Sequence, residues 1–271
     1  MIDIGANLAH DRFDADRDAV LGRARAAGVE AIVVTGSSLD SSRKALELAR
    51  AHPGLLYATA GLHPHHASAY SAAHATEFAQ LAREPAVVAL GECGLDYFRD
   101  YSPRADQRRA FAAQLELAAG AGKPLFLHQR DAHADFLPLL KEHRSRLKEV
   151  VVHCFTDTRS ALDDYLALDC HIGITGWICD ERRGAPLREV ARHIPDERLL
   201  VETDAPYLLP RTAPKASHRR NEPMFLPYVI QALAGVRGQA EAEVARGTAA
   251  NARRFFRLPA QASGIAADPK G

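Results

Sequence analysis

Four apolar runs of the sequence each end in a side chain that can ligate a metal or exchange a proton. The runs begin at Val87, Pro124, Val150 and Leu199, and they lead to Glu92, His128, His153 and the pair Glu202 and Asp204. A fifth titratable residue, His63, follows a short run that begins at Tyr57. Parallel α/β folds keep their chemistry at the carboxyl ends of buried strands. The placement therefore predicts that these residues share one site.

Imidazoles together with carboxylates are a donor set typical of a hydrolytic metal centre. Nitrogen and oxygen donors suit Zn²⁺ or Mn²⁺, and a carboxylate-rich site can take Mg²⁺. A bound metal lowers the pKa of its water, and a free carboxylate can then accept the proton. We expect His128 and His153 to be ligands, although a single histidine at a strand end is more often a hydrogen-bonded surface residue. Glu92 needs a metal or an arginine partner, because an unpaired buried carboxylate is costly.

Positive side chains are concentrated in the loops predicted on the same face. Arg130 lies two residues after His128, and the loops after the seventh and eighth strands carry Arg182, Arg183, Arg211, Lys215, Arg219 and Arg220. The whole chain has no formal net charge, so this local concentration favours a phosphate-bearing substrate. A solvated run of charges is the alternative. Trp177 and Tyr207 in these loops can stack on a base, and packing explains them equally well.

Eight predicted strands alternate with helices and position these side chains. The connections are long enough for helical crossovers, which favours a parallel sheet. The chain has neither a G-x-G-x-x-G opening its first helix nor a P-loop, so we expect a single-domain (β/α)₈ TIM barrel. A large doubly wound sheet is the alternative. The barrel is predicted over residues 1–257 of the 271 in the chain, followed by a C-terminal tail over 258–271.

Local signals predict how some helices begin. Ser41 or Ser42 is the expected cap of the second helix, and Ser102 followed by Pro103 is the expected start of the fourth. Pro138 lies inside the fifth predicted helix and is expected to kink or shorten it.

The four cysteines form no C-x-x-C pair, which is typical of reduced thiols in a reducing compartment. Cys93 and Cys154 directly follow Glu92 and His153, so strand alternation predicts that both face away from the site as small buried residues. The sequence shows no signal-peptide pattern and no apolar run of about 20 residues. We therefore expect a cytoplasmic protein without a membrane partner.

Four motifs, in order, resemble those of the TatD-type metal-dependent deoxyribonucleases. They are Gly61-Leu62-His63-Pro64-His65, Gly91-Glu92-Cys93-Gly94-Leu95-Asp96, His153-Cys154-Phe155-Thr156 and Glu202-Thr203-Asp204-Ala205-Pro206-Tyr207. The similarity covers roughly residues 1–257. Blocks at 173–184 and 219–223 resemble the bacterial branch that gives the family its name more than its paralogues.

The resemblance implies a Mg²⁺-dependent 3′-5′ exonuclease on single-stranded DNA and RNA, acting in DNA repair or nucleic-acid turnover, with Mn²⁺ or Zn²⁺ as other possible metals. Carried over by position, the metal ligands are Glu92, His128 and His153, with Asp204 as a ligand or the catalytic carboxylate and His63 as a contact to the scissile phosphate or an aid to the leaving group. The expected substrate-binding residues are His65, Arg130, Arg211, Arg219 and Arg220. A monomer is favoured.

The first strand departs from the wider family, most of which carries Asp-x-His-x-His there. This chain has Asp3, Gly5 and Asn7 in that frame. Glycine cannot ligate, and an asparagine carbonyl suits a hard ion such as Mg²⁺. The departure favours Mg²⁺ over Zn²⁺ and argues against a two-metal site.

Two other functions stay open at this point. A metal-dependent amide or ester hydrolase can be built on the same barrel, although it has little need for the loop cations. A non-catalytic interaction protein is the second, although Glu92, His128, His153 and Asp204 are all intact.

Overall fold

The computed structural model describes residues 1–214 and 220–259 of the chain. Eight strands form one sheet whose order follows the chain from first to last. They are β1 (Ile2–Ala6), β2 (Ala31–Val34), β3 (Leu56–Ala60), β4 (Val87–Asp96), β5 (Leu125–Arg130), β6 (Val150–Val152), β7 (His171–Ile174) and β8 (Leu199–Val201). Each neighbouring pair from β1–β2 to β7–β8 is parallel. The predicted (β/α)₈ barrel is confirmed, and the doubly wound alternative is excluded because its strand order would not follow the chain.

Helices separate the strands along the chain. In the described residues they are α1 (Arg17–Ala26), α2 (Leu39–Ala51), α3 (Ala72–Leu81), α4 (Arg104–Ala121), α5 (His133–His143), α6 (Arg159–Ala167), α7 (Ala185–Ala191), α8 (Leu226–Arg237) and α9 (Glu241–Phe256). Across the described ranges, none of these helices has the length and apolarity needed to cross a membrane.

Backbone hydrogen bonds join the carboxyl end of β1 to the residues that follow β8. Asp204 N–H donates to Gly5 O at 2.8 Å, and Asn7 N–H donates to Ala205 O at 2.7 Å. The side chain of Asp3 also accepts the Thr203 N–H at 3.0 Å. These bonds close the barrel and bring the carboxyl end of β1 beside that of β8.

The barrel interior is filled by side chains from alternate strand positions. Ile4, Val33, Phe126 and Leu200 are each fully buried in one apolar cluster. The residues of α9 that join this cluster include Phe255. Because the interior is packed, the chemistry is confined to the rim at the carboxyl ends of the strands.

The start of α2 differs from the prediction. Ser38 is the N-cap, and its side chain accepts the Ser41 N–H at 3.1 Å. Ser41 Oγ in turn accepts the Ser38 N–H at 2.8 Å, which completes a capping box. The cap therefore lies three positions before Ser41, and Ser41 supplies the reciprocal half of the box.

Two further local predictions are corrected. Pro103 is the N-cap of α4, and Ser102 Oγ donates instead to the His65 carbonyl at 3.0 Å. Pro138 lies within α5, which nevertheless continues to His143. The division between a barrel over 1–257 and a tail over 258–271 stays a prediction, because residues 260–271 lie outside the described residues.

Candidate active site

A cavity of about 810 Å³ lies at the carboxyl ends of the strands. Its lining includes the five strand-end residues His63, Glu92, His128, His153 and Asp204. His63 follows β3, Glu92 and His128 lie within β4 and β5, and the others follow β6 and β8. The structure thus brings together side chains from five strands that are distant in sequence.

One carboxylate oxygen is at the centre of this group. Glu92 Oε1 lies 2.8 Å from His153 Nε2, 3.0 Å from His128 Nδ1 and 3.3 Å from His63 Nε2. Among the described residues, His63, Glu92 and His128 offer donor atoms that all lie within 4.8 Å of one another. Nitrogen and oxygen donors this close together fit a divalent cation.

The outer nitrogens of two imidazoles face acids. His153 Nδ1 lies 3.4 Å from Glu202 Oε2, and His128 Nε2 lies 3.2 Å from Asp96 Oδ2. A carboxylate accepts a hydrogen bond from the protonated ring nitrogen, which leaves the other nitrogen free to ligate. His153 Nε2 and His128 Nδ1 therefore fit the role of metal ligands, and both face Glu92.

His63 has a different hydrogen-bond pattern. Its Nδ1 accepts the backbone N–H of His65 at 3.1 Å. A neutral imidazole that accepts at Nδ1 carries its proton on Nε2, and burial lowers the pKa of His63 to about 4. At pH 7 His63 is therefore a neutral donor, which suits a phosphate oxygen better than a metal.

The two central carboxyl groups have pKa values shifted in opposite directions. Burial raises the pKa of Asp204 to about 8, with His153 opposing the rise and Glu92 adding to it. Burial also acts on Glu92, but His63 and His153 outweigh it and hold the pKa of Glu92 well below its usual range. A nearby cation would remove the cost of charging the buried Asp204. The electrostatics of the pocket therefore favour a bound cation.

Glu202 is a buried acid to which the sequence analysis assigned no role. Its Oε1 accepts the Cys154 N–H at 2.6 Å, while its Oε2 faces His153. A Cβ atom at Gly5 would lie 2.4 Å from Glu202 Oε2, and one at Gly173 would lie 2.9 Å from Oε1. The glycine that replaces a family histidine in the first strand thus leaves the space that Glu202 occupies.

Asn7, the second departure from the family pattern, contacts Asp204. Asn7 Nδ2 donates to Asp204 Oδ1 at 3.0 Å. Asp3 in the same frame is fully buried, and its carboxylate accepts N–H bonds from Gly5 at 3.2 Å and Thr203 at 3.0 Å. The first strand therefore positions the acids of the last strand.

Asp96 also lacked a predicted role. Its Oδ2 lies 2.8 Å from His65 Nε2 and 3.2 Å from His128 Nε2, so it joins two residues of the cavity lining. The signal available in the sequence was spacing: Glu92 and Asp96 are four positions apart in one strand, which places them on the same face.

Positive charge surrounds the cavity. In the part of the chain that the structure describes, the arginines that line the cavity are Arg12, Arg99, Arg130 and Arg183. Of the predicted substrate-binding residues, Arg130 and His65 lie in this lining. The guanidinium of Arg130 lies 4.6 Å from the centre of the Phe98 ring.

Arg220, which is also predicted to contact substrate, lies elsewhere. Its guanidinium is buried, pairs with Asp16 and Glu222 at 2.7 Å each, and lies over the Phe13 ring. The guanidinium also donates a hydrogen bond to the backbone carbonyl of Arg12. Arg220 is outside the cavity lining, and its partners indicate a structural role.

Another predicted substrate contact is not in the cavity lining. Arg211 is exposed outside its lining and pairs with Asp180 at 2.9 Å. Arg219, together with Lys215, lies outside the described residues.

Cys154 differs from the prediction made by strand alternation. Its φ is +47°, so regular alternation ends there and Cys154 joins the cavity lining. Its Sγ lies 3.7 Å from Thr175 Oγ1, and burial raises the pKa of the thiol well above its usual range. Cys93 is fully buried in the apolar core, as expected.

A (β/α)₈ barrel with imidazoles and carboxylates at the carboxyl ends of its strands is the architecture of a metal-dependent hydrolase. A family model described as TatD related DNase matches residues 2–257. The chain belongs to this family, which confirms the resemblance carried by its four motifs, and it is an enzyme of the hydrolase class.

Similar proteins cover nearly the whole chain. A protein named 3′-5′ ssDNA/RNA exonuclease TatD from Musicola paradisiaca is 51% identical over 259 residues, which are 95% of this chain and 98% of that relative. The protein of the same name from Edwardsiella piscicida is 53% identical and is covered over 100% of its length. YjjV, a TatD homolog from Escherichia coli K12, superimposes with a TM-score of 0.87 at 31% identity, covering 96% of this chain and 98% of that one.

Proposed function

We propose that this protein is a Mg²⁺-dependent 3′-5′ exonuclease that hydrolyses phosphodiester bonds of single-stranded DNA and RNA. One observation carries the proposal: the same cavity holds a buried group of carboxylates and imidazoles and is lined by four arginines of the described residues. A divalent cation and guanidinium groups together suit a phosphodiester, whereas a neutral amide or ester needs no such cations. The names of the relatives at 51% and 53% identity support the same activity.

The residues that would hold the cation are Glu92, His128, His153 and Asp204. When bound, the cation acidifies a water and neutralises charge on the phosphate. The acid-rich donor set and the lack of strand-one histidines favour Mg²⁺, with Mn²⁺ or Zn²⁺ as alternatives.

Asp204 and His63 have different roles in this proposal, because Asp204 accepts a proton and His63 donates a hydrogen bond. Asp204 accepts one bond from Asn7 at Oδ1 and keeps further acceptor capacity for the attacking water. The bound cation would keep the buried Asp204 carboxylate ionised, as a proton acceptor at neutral pH requires. His63 Nε2–H is placed to donate to a phosphate oxygen or to the leaving group.

Oligonucleotides test this activity directly. Single-stranded DNA and RNA labelled at the 5′ end are incubated after chelation, with Mg²⁺, Mn²⁺ or Zn²⁺ added back separately. We expect a ladder of products that shorten from the 3′ end, strongest with Mg²⁺, and no products from oligonucleotides with a blocked 3′ end. Intact oligonucleotides with every metal, together with cleavage of a nitrophenyl ester, would contradict the proposal and favour an amide or ester hydrolase.

We also propose a cytoplasmic monomer that acts in DNA repair or nucleic-acid turnover. All four cysteines are free, as is usual for proteins of a reducing compartment. Light scattering after gel filtration tests the monomer, and fractionation of cells tests the location.

A further inference from the structure

Three aromatic rings are exposed near the mouth of the cavity. They are the exposed large hydrophobic side chains of the described residues: Phe98 is 55% exposed, Tyr101 is 66% exposed and Tyr207 is 47% exposed. Phe98 and Tyr207 line the cavity, and the Tyr101 ring centre lies 4.7 Å from that of His65, which also lines it. Exposed apolar surface concentrated at one opening is typical of a binding region.

A second cavity, of about 430 Å³, adjoins the first beside Phe98. The two cavities share Phe98, Arg130, Trp177 and Arg183 in their linings. Leu187 adds to the apolar wall of the second cavity. A ligand anchored in the first cavity can therefore extend into the second without leaving the protein surface.

The walls of the second cavity suit a nucleobase. Phe98 and Trp177 offer flat apolar rings, on which bases stack with little sequence preference. The Arg130 and Arg99 guanidinium groups lie 4.6 Å and 5.6 Å from the centre of the Phe98 ring, which supports the exposed ring by cation–π contacts. Arg130 and Arg183, at the boundary of the two cavities, are placed to contact backbone phosphates.

The position of the second cavity indicates which base it takes. Its lining contains none of the described donor residues Glu92, His128, His153 and Asp204, so its occupant lies beside the scissile phosphate and not on it. The larger cavity surrounds the donor group and takes the nucleotide that is released. Resting on the exonuclease activity proposed above, we infer that the second cavity is a subsite for the base of the second nucleotide from the 3′ end, stacked on Phe98.

Oligonucleotides lacking a single base test this subsite. Single-stranded DNA is prepared with a baseless residue at the last, second-to-last or third-to-last position, and release of the first nucleotide is measured. For the wild type, we expect removal of the second-to-last base to raise KM about fivefold or more, because the Phe98 ring then has no base to stack on. We expect a smaller effect of a missing base at the third-to-last position.

Variants at Phe98 test whether the ring causes this effect. Phe98→Ala should raise KM for the intact oligonucleotide by a similar factor and should not respond to the missing second-to-last base. Phe98→Tyr keeps a ring and should restore both properties. Arg159→Ala, an exposed residue paired with Asp163 on α6, is the control and should match the wild type.

The possible outcomes separate the subsite from the proposed activity. Each variant is also assayed on bis(p-nitrophenyl) phosphate, a phosphodiester that has no second nucleotide. Two results would overturn the subsite alone, provided that the wild type hydrolyses both this compound and DNA. The first is that only a missing last base changes KM for the wild type. The second is that Phe98→Ala responds to the missing second-to-last base as strongly as the wild type does. Hydrolysis of neither substrate by the wild type would overturn the exonuclease proposal and the subsite with it.

Discussion

At the residue scale, Asp204 is the carboxylate best placed to accept a proton, because Asn7 orients it through Oδ1 and leaves its other oxygen available as an acceptor. We predict that Asp204→Asn lowers kcat about 100-fold or more, the range expected for loss of a general base. DNA binding should persist, since the arginines of the lining are unchanged. Single-turnover rates at saturating Mg²⁺ and fluorescence anisotropy measure the two effects. Near-wild-type hydrolysis would show that Asp204 is not the general base.

Gly5 provides a second prediction at this scale. In Gly5→Ala the new Cβ would lie 2.4 Å from Glu202 Oε2 and 2.9 Å from Phe126 Cζ, so the carboxylate must move away from His153. Loss of an outer partner of a metal-ligating histidine typically lowers metal affinity about 10- to 100-fold. We expect a decrease of that size in Mn²⁺ affinity, measured by calorimetry.

Gly120→Ala is the matched control for this substitution. Gly120 lies in α4, and a Cβ there meets no atom within 4 Å. The Gly120→Ala protein should bind Mn²⁺ with the affinity of the wild type. Its free energy of unfolding should rise by up to about 1 kcal/mol. Equal metal affinity in Gly5→Ala and the wild type would show that Glu202 does not position His153.

Sequence reasoning placed the central residues because each follows its own apolar run, as Glu92 and His153 do. It did not assign the outer acids, since Glu202 is recognisable only when β8 lies beside His153 in the closed barrel. The charge of Arg220 in the sequence also did not show that this side chain pairs with acids away from the cavity. Its partner Asp16 is 204 positions away, and no local pattern in the sequence reveals that pair.

At the scale of elements, a partly buried ionic cluster joins the segment after β8 to α1. Arg220 pairs with Asp16 and Glu222, and Arg23 of α1 pairs with Glu222 at 2.8 Å. We predict that Arg220→Leu lowers the free energy of unfolding by about 3 kcal/mol or more, because it leaves the buried carboxylate of Glu222 with less compensation. Urea denaturation measures this change.

Arg211→Leu is the control for the ionic cluster. The Arg211 side chain is 56% exposed, and its pair with Asp180 should contribute no more than about 1 kcal/mol. The salt dependence of DNA binding gives an independent measurement. If Arg220→Leu reduced the slope of log affinity against log salt by about one, Arg220 would contact a phosphate after all.

The strands were the most predictable elements, since runs such as 150–152 are apolar throughout and are bounded by polar residues. The details at element ends were less predictable. Ser38 was preferred over Ser41 as a cap because Ser41 completes the capping box from inside the helix. Cys154 left the strand pattern because its backbone has a positive φ, which the sequence does not signal at a cysteine.

At the scale of the whole molecule, the barrel follows from the alternation of eight strands with helices, and one rim follows from their common direction. The second cavity could not be predicted, because Phe98 follows β4 whereas Trp177 and Leu187 belong to the distant connection between β7 and β8. Only the closed barrel brings these connections together. The same topology places His171, at the start of β7, on the end of the barrel opposite the active site.

His171 makes the stability of the barrel depend on pH. It is buried, with its ring centre 5.0 Å from that of Phe255, and burial lowers its pKa to about 4. In the unfolded chain the pKa is about 6.5, so between pH 6.5 and 4 the unfolded state binds the proton more strongly. Stability is therefore unaffected by this group above about pH 6.5 and falls as the pH is lowered through that window.

A substitution at His171 isolates this contribution from that of other titrating groups. From pH 7 to pH 5, the wild type should lose about 2 kcal/mol more of its free energy of unfolding than His171→Phe does. The carboxyl groups titrate in both proteins, so their effects cancel in the difference. Urea denaturation at pH 7, 6 and 5 provides the values. Parallel losses in the two proteins would show that His171 accepts a proton in the folded state, with Glu149, 3.7 Å from its Nδ1, as the partner that stabilises the charge.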